Sequence, residues 1–133
     1  LAGSKEFIKK ARYWKQRLGG AMRQAGIIAA GGIYALENNV ERLADDNKNA
    51  SKLAEGLKYI DNIEVKPEQV ETNIVLFKLQ GINADDFDAE LQKRGVRMSI
   101  MGPDLVRAVT HLHIDQEDID YALDVVRKTM ESI

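Results

Sequence analysis

The chain has no cysteine among its 133 residues. That excludes disulfides and thiolate metal sites, and it fits a reducing compartment such as the cytoplasm. Histidine is nearly as scarce: His111 and His113 are the only two, and a metal site built on them needs a further ligand. No apolar run approaches the roughly 20 residues of a membrane-spanning helix, and no stretch reads as a secretory h-region. No glycine spacing of the phosphate-loop or dinucleotide-binding kind occurs. The Gly-rich stretch Leu18 to Gly32 matches neither. Nor does either charge dominate. The 19 basic and 21 acidic residues leave a net −2, so no general attraction to polyanions is implied.

What is present is typical of a soluble globular domain: 44% hydrophobic and 30% charged residues. The charge is uneven. Residues 1–24 carry seven basic side chains against one acid, Glu6, a net +6 that leaves −8 on the rest. This basic entry reads as a solvated helix face, a partner surface or an anion site. Aromatic residues that could stack on bases are thin there (Phe7, Tyr13, Trp14), so a nucleic-acid partner is not expected.

Ser4 is placed to cap a helix carrying Phe7, Ile8, Ala11 and Trp14, and Gly19–Gly20 stops it near Leu18. A second helix is expected from about Ala21 to Leu36. It is small or apolar almost all round and should be buried on most sides. A third spans Val40 to about Tyr59. Strands are then expected at Ile63–Lys66 and Thr72–Leu79, and a helix from Asn83 or Ala84 to Arg94, with Gly95 as its cap. Further strands follow at Val96–Met101 and Leu105–Ile114, and Asp115 caps a last helix. The fold class is α+β: N-terminal helices, then a small β-β-α-β-β-α layer, an antiparallel or mixed sheet with helices on one face. The joint near Asp61–Asn62 divides a helical segment, 1–60, from a small α+β domain, 61–133.

Arg107 is the sharpest chemical feature, because it interrupts the aliphatic run "LVRAVTHLHI". A desolvated guanidinium needs an anion. The anion is either an internal Asp or Glu or a ligand carboxylate or phosphate held bidentately. Alternatively, the side chain lies on the solvent face of an edge strand. Arg23 stands where the second helix is expected to start, and free backbone N–H groups there favour anions. His111 and His113 would share one face of a strand. The carboxylates Asp45, Asp46, Asp85, Asp86 and Asp88 fall at helix starts or on polar helix faces, which does not support general acid–base work.

Finally, "LAGSKEFIKKARYWKQRLGGAMRQAGIIAAGGIYALE", "RLADDNKNASKLAEGL", "TNIVLF" and "VRAVTHLHIDQEDID" closely resemble, in order and spacing, the C-terminal half of low-specificity threonine aldolases. The resemblance implies a fold-type-I enzyme using pyridoxal 5′-phosphate (PLP), generally a tetramer. It implies cleavage of L-threonine or L-allo-threonine to glycine and acetaldehyde. It places the family's substrate-carboxylate arginine on Arg107 and its "G-M-R-Q" arginine, near the cofactor, on Arg23. Gln16 stands where the family carries a lysine, and Gly19, Gly20 and Ala21 replace a triple glycine. The family's Schiff-base lysine lies upstream of the segment matching "LAGS". The sequence, opening on Leu1, is therefore expected to begin partway through a larger protein. On that expectation an N-terminal PLP domain is the missing partner, and these residues alone neither hold PLP nor cleave threonine. The alternative is a non-catalytic α+β module binding a small carboxylate or a protein partner.

Overall fold

A computed structural model describes residues 1–133, which form two compact units, Leu1–Val40 and Glu41–Ile133. The break falls at Val40–Glu41 rather than near residue 60. The physical reason is the third helix, whose apolar stripe packs on the sheet that follows it.

The first unit holds two helices. Helix α1 (Lys5–Arg17) begins at Ser4, whose hydroxyl accepts the Phe7 N–H at 3.2 Å. Helix α2 (Gly26–Asn38) starts later than its sequence pattern indicates, because residues 23–25 form a turn with Gln24 at φ 51°. Neither helix has a buried residue. The aliphatic positions of α2 are open, with Ile27 82% and Leu36 74% exposed. This differs from the burial expected of so apolar a helix. Burial requires a second surface, and the first unit offers α2 none.

The second unit begins with helix α3 (Leu43–Leu57), strand β1 (Ile63–Val65), a 3₁₀ turn at Pro67–Gln69 and strand β2 (Ile74–Leu79). Helix α4 (Ala84–Lys93), strands β3 (Ser99–Ile100) and β4 (Leu105–Val109), and helix α5 (Gln116–Ser132) complete it. The strands form one antiparallel sheet in the order β1-β2-β4-β3. This is the β-β-α-β-β-α layer that the sequence predicts.

Strict alternation sets the faces. Val75, Phe77 and Leu79 of β2, and Val106 and Ala108 of β4, point into the core. There they meet Leu53 and Leu57 of α3, Phe87 and Leu91 of α4, and Val126 of α5. Phe77 and Phe87 pack edge to face, 6.2 Å between centroids. All three helices cover this one face. Asn83 caps α4 by accepting the Asp85 N–H at 2.8 Å. Asp115 caps α5, accepting from Glu117 and Asp118, while the Asp118 carboxylate accepts the Asp115 N–H in return. Gly95, at φ 77°, ends α4 in the left-handed region, where glycine carries no Cβ penalty.

Candidate carboxylate-binding site

The other sheet face carries Ile74, Leu76 and Lys78 of β2, and Arg107 and Val109 of β4. None of the second unit's three helices lies on it. Arg107 is in a central strand, not an edge strand, with Leu76 as its register partner on one side and Ser99 on the other. It is half-buried. One terminal nitrogen, Nη2, donates to Ser99 Oγ at 3.4 Å, and Nε is buried without any partner. None of the ion pairs in the chain involves Arg107. The internal-acid explanation of this arginine is thereby excluded.

A buried N–H left unpaired costs on the order of 1–3 kcal/mol. A cation flanked by aliphatic side chains, without a counter-ion, is a group whose partner comes from outside. Guanidinium suits a planar carboxylate best, since two N–H groups meet two oxygens. A cleft of about 350 Å³ opens on the β1–β2 side, between Lys66, Gln69, Leu76 and Leu105. Leu76 and Leu105 adjoin Arg107 on the sheet, but Arg107 itself does not line this cleft.

The other sequence candidates stand elsewhere. Gln16 lies in the last turn of α1 and Arg23 in the turn before α2. Both are exposed and belong to the first unit, so Arg23 does not occupy the helix start expected of it. His111 and His113 follow β4 rather than extend it, because the ladder ends where Ile74, the first residue of β2, pairs with Val109. His111 Nδ1 accepts the His113 backbone N–H at 3.3 Å, so the pair is a turn feature. No three His, Asp or Glu side chains come together as metal ligands. Of the singled-out carboxylates, Asp46 is buried and held by a two-pronged contact from Arg42 at 2.9 and 3.2 Å. It is a structural ion pair.

Resident PLP needs a reactive lysine, a partner for its ring nitrogen and donors for its phosphate. No lysine here is buried, and the half-buried Lys52 is paired with Asp120 at 2.6 Å. Arg23 and Gln16 provide exposed donors only. The residues present therefore fit an amino-acid carboxylate and do not by themselves fit PLP.

Ser99, the one side chain hydrogen-bonded to the guanidinium, escapes notice in the sequence. A serine in "VRMSIM" has no local mark, and only the β3–β4 register brings it beside Arg107.

Residues 1–80 match the family model described as beta-eliminating lyase. The chain is 37% identical over 135 residues to "Probable low-specificity L-threonine aldolase 2" of Arabidopsis thaliana, covering 99% of this chain and 38% of the relative. It is also 37% identical over 119 residues to "Low specificity L-threonine aldolase" of Escherichia coli K12, covering 90% and 34%. The chain thus spans a little over a third of the curated relatives it matches. Among solved structures, a NifS-like protein superimposes with a TM-score of 0.66 at 18% identity, over 74% of this chain and 31% of that one. The cystine C-S lyase C-DES, solved with cysteine persulfide, gives 0.63 at 20% identity, over 77% and 28%. At such identities these likenesses show the fold alone.

Proposed function

The chain belongs to the beta-eliminating lyase family, and on that premise we propose that it serves a PLP-dependent L-threonine aldolase by gripping the substrate's α-carboxylate through Arg107. The observation that carries this reading is the unpaired guanidinium, with its orphaned Nε, among Leu76, Leu105 and Val109 on the open sheet face. The names of the curated relatives support the aldolase part. The reaction proposed for the whole protein is cleavage of L-threonine or L-allo-threonine to glycine and acetaldehyde, in an oligomer.

PLP, when bound, supplies the electron sink for the bond that breaks. This chain's share is orientation. Two guanidinium N–H groups meeting two carboxylate oxygens fix the amino acid by its acid end, which gives the Cα–Cβ bond one direction. Leu76 and Val109 flank the guanidinium with aliphatic side chains that offer no competing acceptor. Arg23 and Gln16 belong near the cofactor in this proposal. The lysine that carries it belongs to residues outside these 133, so this stretch alone neither holds PLP covalently nor releases acetaldehyde.

The test is steady-state kinetics on the intact enzyme whose chain includes these residues. Arg107→Ala should raise KM for L-threonine strongly, and Arg107→Lys should restore only part, because the fork is lost. Unchanged kinetic constants in Arg107→Ala would overturn the assignment. An imine absorbance band, or acetaldehyde release, from the 133 residues by themselves would overturn their inactivity.

A further inference from the structure

We infer that Ser99 is a positioning residue for Arg107: a neutral hydroxyl that aims the guanidinium while leaving its charge free for an amino-acid carboxylate. This rests on the reading of Arg107 given above.

Ser99 and Arg107 are direct partners across β3 and β4, on the open face of the sheet. The place opposite an arginine in an antiparallel ladder suits an aspartate or glutamate, since opposite charges facing each other stabilise the pair. The chain is rich in acids, with 21 of them, yet a serine stands here. An acid at position 99 would close an internal ion pair and consume the cation. A leucine would leave the guanidinium without any hydrogen bond. Ser99 Oγ accepts from Nη2 at 3.4 Å, a long contact that restrains direction without neutralising charge. On the opposite flank, Leu76 offers an aliphatic wall and no acceptor. The guanidinium is thus held on one side only, with Nη1 unengaged.

The experiment is a variant series in the intact enzyme, read as KM and kcat for L-threonine and as the calorimetric Kd for glycine. Arg107 Nε–H exchange is followed by ¹⁵N NMR in the unliganded protein. Ser99→Ala should raise KM and Kd by up to about tenfold, the effect of losing one long hydrogen bond from the guanidinium, with kcat little changed. The same variant should speed Nε–H exchange. Ser99→Thr keeps the hydroxyl and should restore all three. Ser99→Asp should raise KM and Kd by about 30-fold or more, as tying up the anchor with an internal charge does. In an Arg107→Ala background, Ser99→Ala should add nothing. Wild-type KM and Kd in Ser99→Asp, or an equal effect of Ser99→Ala with and without Arg107, would overturn the inference. If Arg107→Ala raises KM and the Ser99 variants do not, this inference alone fails. If Arg107→Ala changes nothing, the carboxylate-anchor reading fails first.

Discussion

Thr110 Oγ1 donates a 2.7 Å hydrogen bond to the backbone carbonyl of Asp46, across 64 residues of sequence. The same residue is locked to the start of β2. Its N–H donates to Asn73 O at 3.0 Å, and Asn73 Nδ2 donates to Thr110 O at 2.7 Å. Thr110 therefore fastens the end of β4, just beyond Arg107, to both β2 and α3. It is 2% exposed, and its bond to the Asp46 carbonyl is buried. Thr110→Val keeps the shape but removes the side-chain donor from the Asp46 carbonyl, which lies within α3. The expected loss is about 0.5–1.5 kcal/mol of stability, read as a lower urea midpoint, with Thr110→Ser recovering most of it. An unshifted midpoint would show that the lock is dispensable.

Arg107→Ala in the intact enzyme should weaken binding of L-threonine by about 2–5 kcal/mol, roughly 30-fold or more in KM, because a charged contact to a desolvated carboxylate is lost. Circular dichroism should not change, since Arg107 makes no ion pair that the fold depends on. A collapse of the fold together with activity would instead mark the residue as structural.

Helices α3 and α5 pack closely at Gly56. A methyl group there would lie 2.4 and 2.6 Å from the two terminal carbons of Leu123 and 3.1 Å from its Cγ. Gly56→Ala gains roughly 1 kcal/mol of helix propensity but overpacks the crossing, which typically costs about 1–3 kcal/mol. The net should be destabilising. Trimming the neighbour in Gly56→Ala/Leu123→Ala should make the alanine less harmful than in the parent. Equal effects in both backgrounds would mean that Leu123 simply turns aside.

On α4, the Lys93 ammonium donates to Glu90, and this hydrogen bond holds the Glu90 carboxyl below its ordinary pKa, with the charges of Lys93 and Arg94 acting the same way. A depressed folded-state pKa means that the pair's contribution is present above the unfolded pKa and is lost as pH falls through the folded one. NMR titration should place the Glu90 midpoint below that of an ordinary glutamate, and Lys93→Met should move it upward. A midpoint indifferent to Lys93→Met would refute the cause assigned here.

Much of the local structure was legible from pattern. Ser4 and Asp115 were readable as caps because a cap bonds N–H groups two or three residues away, and Asn83 was one of two starts read for α4. The alternation through Ile74–Leu79 foretold which side chains of β2 face inward. The tail of β4 was not legible. Leu112 and Ile114 look like strand, but a strand exists only opposite a partner, and β2 supplies none beyond Val109. Likewise, the apolar girth of α2 announced a demand for burial without saying where that demand is met.

The sequence by itself determined that an arginine sits in an aliphatic strand, and that helices would cover one face of the sheet around it. Those facts follow from side-chain periodicity and from bonds spanning a few residues. Tertiary structure alone decided what surrounds that arginine: Leu76 on one side, Ser99 on the other, and no acid at either. Register between strands is set by how the whole core packs, and a one-residue slip would have put a different side chain opposite the guanidinium.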